Sequence, residues 1–168
     1  MCLLKLSFEY LIKSNFSAVA DDIFNILADN MTMIAPTGNS REEDFVLWSD
    51  AVSDGLQRPE RQIILIKDNE TIVGFFQYYT NADTFMMEEI QIRPEYHGKG
   101  VFRKLYGFIL KNIRNDLEFV EAYASINNQK SIGILEKFGL LNIGLNKNGH
   151  SYHFKGKFAD LIKWYENT

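Results

Sequence analysis

One stretch decides the fold of this chain: Met87 to Leu105, which reads MEEIQIRPEYHGKGVFRKL. Its first part is apolar enough for a buried strand, and Pro94 ends that strand because proline has no N–H and a fixed φ. Two glycines follow. From Val101 onward, apolar residues recur every three or four positions, which is the spacing of an amphipathic helix. The stretch therefore predicts a strand, a glycine turn and a helix in direct succession.

The start of this helix is unusual in its charge. Helices commonly begin with Ser, Thr, Asp or Asn and carry acidic residues in the first turn, near the positive end of the helix dipole. Here the turn is Gly98-Lys99-Gly100, and Arg103 and Lys104 follow without any carboxylate. Glycines let the backbone approach a ligand closely, and the unpaired N–H groups of a helix start can hold phosphate. The turn is therefore a candidate phosphate site, and a plain glycine-rich connector is the alternative.

Two common phosphate-binding motifs are excluded. A P-loop needs Gly-Lys followed by Ser or Thr, whereas Gly100 is followed by Val101 and Phe102. The dinucleotide motif Gly-x-Gly-x-x-Gly fails as well, because Arg103 stands three positions after Gly100. The absence of a P-loop also disfavours a nucleotide kinase.

Composition sets the outer limits for the class of protein. The chain has 168 residues, of which 46% are apolar and 24% charged, and we expect a single domain over 1–168. The net charge of −4 disfavours a broad nucleic-acid-binding surface. The single cysteine, Cys2, excludes an internal disulfide and fits a reducing compartment. No membrane-length apolar run and no secretory signal are evident, so we expect a cytoplasmic protein.

Hydrophobic periodicity assigns strands and helices along the whole chain. The predicted strands are 3–10, 62–67, 72–79, 84–93, 119–125, 140–145 and 152–155, and the predicted helices are 18–27, 40–53, 101–115, 128–138 and 158–165. Ser40 and Asn128 are expected to cap the helices that follow them, and Gly139 is expected to end its helix. Residues 30–40 are expected to form a loop. This order of elements favours an α+β layered fold.

A second stretch, 125–140, reads SINNQKSIGILEKFGL. Local physics explains it as a helix that is capped by Asn128 and buries Ile132, Leu135 and Phe138. Together with the strand, turn and helix around Gly100, however, it resembles the GNAT superfamily of acyl-CoA-dependent N-acetyltransferases. The resemblance covers about residues 60 to 145 well, and the N-terminal third only in the order of its elements.

In that family, a strand leads into a Gln/Arg-x-x-Gly-x-Gly/Ala turn whose amides hold the pyrophosphate of CoA. The segment at 97–102, HGKGVF, matches this motif at its centre and departs at both ends. His97 replaces Gln or Arg, and Phe102 replaces the small residue, where it is expected to crowd a phosphate. The resemblance implies that the cofactor is bound by His97, Gly98, Lys99, Gly100, Val101, Phe102 and Arg103.

The resemblance also implies a fold and the rest of the cofactor site. The fold is a three-layer α/β/α arrangement with a mixed, mostly antiparallel central sheet of about six to seven strands and helices on both faces. The backbone of Ile90-Gln91-Ile92 pairs with the pantetheine arm, and the N–H of Ile92 points at the thioester carbonyl. In the later helix, Asn128 touches pantetheine, and Ser131 stands where the family has Ala or Ser.

Acetyl transfer to an amine needs a base, because an amine with a pKa near 10.4 is almost fully protonated at pH 7. Glu88 and Glu89, just before Ile92, are the candidates. Side chains alternate along a strand, so at most one of the two faces the cleft unless a bulge intervenes. Glu88 is preferred because the apolar residues Met86 and Ile90 flank it. A surface or salt-bridged glutamate is the alternative for either position.

The departing CoA thiolate needs a proton, and the family often supplies it from a Tyr where this sequence has Leu135. Tyr123, Tyr152 and His150 are possible replacements by element order, and water can also protonate a thiolate. The sequence therefore predicts an N-acetyltransferase that uses acetyl-CoA and an unidentified amine, with no metal, nucleic acid or membrane partner, as a monomer or homodimer. A catalytically silent acyl-CoA-binding module is the alternative.

Overall fold

The structure, a computed structural model, describes residues 4–168. Over this range the chain forms seven strands, five α-helices and two short 3-10 helices, and the predicted GNAT-like fold class is confirmed. Cys2, and Leu3 of the first predicted strand, lie outside the described residues. The elements are β1 (Leu6–Tyr10), α1 (Phe16–Met31), α2 (Arg41–Gly55), β2 (Arg61–Asp68), β3 (Thr71–Asn81), β4 (Thr84–Ile92), α3 (Val101–Asn112), β5 (Phe119–Ser125), α4 (Gln129–Lys137), β6 (Leu141–Leu145), β7 (Ser151–Lys157) and α5 (Phe158–Glu166).

The sheet is mixed, with the strand order β1-β2-β3-β4-β5-β7-β6. β1 is antiparallel to β2, and β7 is antiparallel to both β5 and β6, whereas β4 and β5 run parallel. The parallel register extends from Thr84 opposite Phe119 to Met87 opposite Ala122. Because side chains alternate and residues in register share a face, Met86 lies on the same face of the sheet as its partner Glu121.

By packing, the chain divides into two compact units. The first contains the residues up to Gln77 together with Glu89–Val101. In its core, α1 and α2 pack on strand residues such as Ile63 and Phe75. Burial of each side chain of this size adds about 1.5–3 kcal/mol to the free energy of unfolding. An aromatic cluster joins the two helices, with ring centroids 5.3–6.3 Å apart, and it consists of Phe16, Phe24, Phe45 and Trp48.

The second unit contains Tyr78–Glu88 and Phe102–Thr168. Its core is also aromatic: the buried Tyr106 of α3 packs edge-on against Phe138 and Trp164, with centroids 5.0 and 5.6 Å away. The Tyr106 hydroxyl donates to the sulfur of Met87, 3.1 Å away. Burial raises the pKa of this phenol well above its usual value, so it stays protonated and remains a donor.

The predicted helix caps are confirmed. Ser40 Oγ accepts a hydrogen bond from the Glu43 N–H at 3.2 Å, and Asn128 Oδ1 accepts one from the Ser131 N–H at 3.1 Å. Gly139 follows α4 with φ of +87°, a left-handed conformation that glycine adopts without steric cost.

The predicted end of α1 was wrong. The helix continues to Met31, so Asn30 is helical rather than part of a loop. Its side-chain amide donates to Gln91 Oε1 and to the Ile92 carbonyl, both at 3.0 Å. These bonds attach the last turn of α1 to the end of β4. Within residues 4–168, no helix has the length and apolar character needed to cross a membrane.

Candidate functional site

The glycine turn presents bare backbone in front of α3. Gly98 and Gly100 both have φ of +75°, which L-residues rarely adopt. A Cβ added at either position would meet no atom within 4 Å, so the space beside the turn is open. Lys99 between them is exposed, whereas Val101 is buried and anchors the start of the helix. The first N–H groups of the helix have no acceptor within it.

The segment between β4 and the glycine turn is held at two points. The Tyr96 hydroxyl donates to Asp68 Oδ2 at 2.7 Å, and this hydrogen bond to a carboxylate raises the pKa of the phenol. The next residue, His97, places Nε2 2.9 Å from the Ile92 carbonyl oxygen. A carbonyl can only accept, so His97 Nε2 carries a proton in this contact. The turn is thereby fixed relative to the end of β4.

A chain of side-chain amides and a carboxylate surrounds the end of β4. The Ile92 carbonyl accepts from both His97 and Asn30. The buried Gln91 accepts from Asn30 through Oε1 and donates through Nε2 to Glu89 Oε2 at 3.2 Å. These bonds hold the Gln91 side chain and the Ile92 carbonyl, in the part of β4 for which the family resemblance implies pairing with the cofactor arm. Ile90, just before them, is half-buried.

Gly74 of β3 allows the backbone to approach this end of β4. A Cβ at position 74 would lie 2.7 Å from the Gln91 carbonyl oxygen and 3.3 Å from Ile92 Cα. We expect Gly74→Ala to lower the free energy of unfolding by about 1–3 kcal/mol, because backbone atoms must shift to accept the methyl group. Gly133→Ala is the matched control, since an added Cβ there meets nothing within 4 Å and alanine favours the helix. Urea unfolding that gave equal stabilities for the two variants would contradict this.

The two candidate glutamates lie in different environments. Glu88 is exposed, so its apolar neighbours in sequence do not shield it from water. Glu89 is half-buried and accepts the hydrogen bond from Gln91. Glu88 directly follows Met87, the last β4 residue in the recorded parallel register with β5. Their assignment as bases stays a prediction.

Two residues at the start of α3 are packed within the second unit. The Phe102 ring stacks on Tyr106, with centroids 5.4 Å apart, and also approaches Phe138 at 6.2 Å. The Arg103 guanidinium donates to the Tyr165 carbonyl at 3.0 Å and lies over the ring of the same residue at 4.5 Å. The sequence of α3 does not reveal this contact between Arg103 and α5. From the sequence, Arg103 was expected to contact phosphate instead.

The second motif forms the start of α4. Asn128 and Ser131 are half-buried, and the cap bond uses the Asn128 carbonyl oxygen. Its amide nitrogen is therefore the group with donor capacity for a ligand. Leu135 is buried in the same helix and brings no proton donor.

Asn30 is the site residue that sequence reasoning missed. It lies seven positions after the buried Ile23, which places both on one face of α1. A polar residue that continues an apolar helical stripe was the signal for a partly buried hydrogen bond. The prediction of a loop from residue 30 onward concealed it.

Comparison with known proteins identifies the class. Residues 20–140 match the model of the Acetyltransferase (GNAT) family, and the chain belongs to this family. No curated protein sequence matches the chain.

Three solved structures illustrate the shared fold. An acetyltransferase from Thermus thermophilus is 14% identical, with a TM-score of 0.71 over 94% of this chain and 100% of its own. PaiA N-acetyltransferase from Thermoplasma acidophilum, in complex with coenzyme A, is 13% identical, with a TM-score of 0.69 over 92% and 100%. Spermidine N-acetyltransferase from Vibrio cholerae, in complex with CoA and spermine, is 18% identical, with a TM-score of 0.61 over 94% and 98%. At these identities the likeness concerns the fold.

Proposed function

We propose that the chain is an N-acetyltransferase that moves the acetyl group of acetyl-CoA to an amine by direct attack. The observation that carries the proposal is the exposed Gly98–Gly100 backbone turn before α3, in a chain that belongs to the GNAT family. The whole chain, 1–168, acts as one acetyltransferase domain. It works in the cytoplasm, as a monomer or homodimer.

The cofactor phosphates bind at the glycine turn. Gly98 and Gly100 leave room for phosphate oxygens beside the backbone, and the N–H groups of Val101 and Phe102 offer donors at the positive end of the helix. Lys99 is exposed next to them and adds a positive charge. The Phe102 ring stacks on Tyr106, which supports a role for this residue through its backbone rather than its side chain.

The acyl group is positioned by the end of β4. The Ile92 N–H donates to the thioester carbonyl and stabilises the negative charge that develops on this oxygen during attack. Asn30 and His97 support this role, because both bind the Ile92 carbonyl and so orient the backbone around it. The amide nitrogen of Asn128, together with Ser131, contacts the pantetheine arm.

Glu88 removes the proton from the attacking amine, directly or through water. Such an amine has a pKa near 10.4, so about one molecule in a thousand is neutral at pH 7 without help. Glu89 accepts from Gln91, a contact that supports a positioning role at the end of β4. Water protonates the departing thiolate, whose pKa of about 8.5 makes this step undemanding, since Leu135 offers no acid.

A polyamine is one candidate for the acceptor. The Vibrio cholerae enzyme of the same fold is named for spermidine, and its structure holds spermine. The net charge of −4 on this chain is compatible with a cationic acceptor.

Acetyl-CoA is expected to stabilise the protein against heat. A ligand that binds only the folded state adds about 2.7 kcal/mol at 100 times its Kd. For a chain of this size that corresponds to a rise in Tm of about 5–10 °C. Differential scanning fluorimetry with acetyl-CoA, and with NAD and ATP at equal concentration as controls, measures the effect. If no acyl-CoA shifted the Tm, the proposed cofactor would be wrong.

A further inference from the structure

The turn between β6 and β7, residues 146–150, contains the one Asn-Gly pair in the sequence, Asn148-Gly149. The Asn148 side chain is exposed. Gly149 has φ of +75°, and a Cβ added there would meet no atom within 4 Å. Because glycine has no side chain, residue 149 does not shield its own nitrogen from the Asn148 side chain. A side-chain amide and an unshielded backbone nitrogen are therefore adjacent in an exposed turn.

The hydrogen bonds of the turn act on both groups. The His150 N–H donates to Asn148 Oδ1 at 2.8 Å, which polarises the amide carbonyl and stabilises negative charge on this oxygen. The Gly149 N–H donates to the Asn146 carbonyl at 3.0 Å. Attack by the Gly149 nitrogen on the Asn148 amide thus requires the loss of one backbone hydrogen bond, which is a small cost beside water.

The charge of the β6–β7 hairpin favours the same reaction. Residues 141–157 include Lys147, Lys155 and Lys157 and contain neither Asp nor Glu. Lys147 is exposed and directly precedes Asn148. The deprotonated Gly149 nitrogen and the intermediate that it forms both carry negative charge, and nearby cations stabilise such charge. The hairpin itself therefore brings no carboxylate that would oppose the reaction by repulsion.

We infer that Asn148 is a site of spontaneous deamidation, an inference that is independent of the proposed function. The Gly149 nitrogen attacks Cγ of Asn148, so that a C–N bond forms and the bond from Cγ to the amide nitrogen breaks. The amide nitrogen leaves as ammonia, together with the proton of the Gly149 nitrogen. Water then opens the cyclic imide at either carbonyl and leaves aspartate or isoaspartate, with an added negative charge. The protein thus has two charge forms, whose ratio changes with the age of the molecule.

Asn142 in the same hairpin is a matched internal control. It is also exposed, and its Oδ1 accepts from the N–H two residues further on, that of Gly144, at 2.9 Å. The residue that follows it is Ile143, whose β-branched side chain crowds the attacking nitrogen. The two asparagines therefore share their exposure and this hydrogen bond, and they differ in the residue that supplies the nitrogen. We expect Asn148 to react at least about tenfold faster than Asn142.

The test incubates the purified protein at mildly alkaline pH and follows the two asparagines by mass spectrometry. Trypsin cleaves after Lys147 and so places Asn142 and Asn148 in separate peptides. A parallel sample in guanidinium chloride gives the rate without the folded turn. We expect Asn148 to react at most about tenfold more slowly in the folded protein, since one backbone hydrogen bond is lost. Gly149→Ala places a methyl group beside the nitrogen and is expected to slow the reaction by about tenfold or more.

Protection of Asn148 by more than about tenfold in the folded protein would overturn the inference. Equal rates at Asn142 and Asn148 would overturn it as well, and so would an unchanged rate in Gly149→Ala, because the glycine nitrogen would then not be the attacking group. The reaction needs no acetyl-CoA, so its outcome is separate from the tests of the cofactor and of the base.

Discussion

Glu88→Gln is expected to lower kcat/KM for acetyl transfer by about 100-fold or more, without changing the affinity for acetyl-CoA. The amide cannot accept the proton of the amine, yet it has nearly the same shape as the carboxylate. Because Glu88 is exposed, the substitution leaves the core intact. Initial rates over a range of pH provide the measurement. The rise of kcat/KM on the acidic side reports the base in the free enzyme, and it should vanish in the variant.

Glu89→Gln is the matched control for this prediction. The new amide oxygen can still accept the hydrogen bond from Gln91 Nε2, so the end of β4 keeps its support and the rate should change little. The reverse pattern would make Glu89 the base. If neither substitution mattered, water or the pocket itself would deprotonate the amine, and the role assigned to Glu88 would be wrong.

Gly100→Glu is expected to weaken acetyl-CoA binding by about 100-fold or more, because a negative charge then stands where the pyrophosphate is bound. Gly149→Glu is the control, since Gly149 has the same φ of +75° and an added Cβ there also meets no atom within 4 Å. Both substitutions therefore carry a similar backbone cost of about 1–2 kcal/mol. Isothermal titration with acetyl-CoA separates them. If the affinity survived Gly100→Glu, the phosphates would not bind at this helix start.

The elements themselves could be predicted from the sequence because their signals are local. Pro94, the glycines and the periodicity after Val101 define β4, the turn and α3, and the structure has each of them. The caps at Ser40 and Asn128 are equally local, since they depend on residues three positions apart.

The contacts of the candidate site depend on distant parts of the chain and could not be predicted in this way. Asn30 reaches residues 61 and 62 positions away, and Arg103 reaches Tyr165 across 62 positions. Glu88 is exposed although the apolar Met86 and Ile90 share its face of the strand, because exposure depends on which distant parts of the chain cover that face. The parallel register of β4 and β5 is likewise a long-range feature, which the periodicity of neither strand reveals.

Transfer of an acetyl group from acetyl-CoA to an amine is the activity that we propose for this protein. Release of the CoA thiol, followed with a thiol-reactive dye in the presence of acetyl-CoA and a panel of mono-, di- and polyamines, tests it most directly. We predict thiol release that requires both substrates and is accompanied by an acetylated amine of the corresponding mass. Tight acetyl-CoA binding without release for any amine would contradict the claim and would indicate a catalytically silent acyl-CoA-binding module.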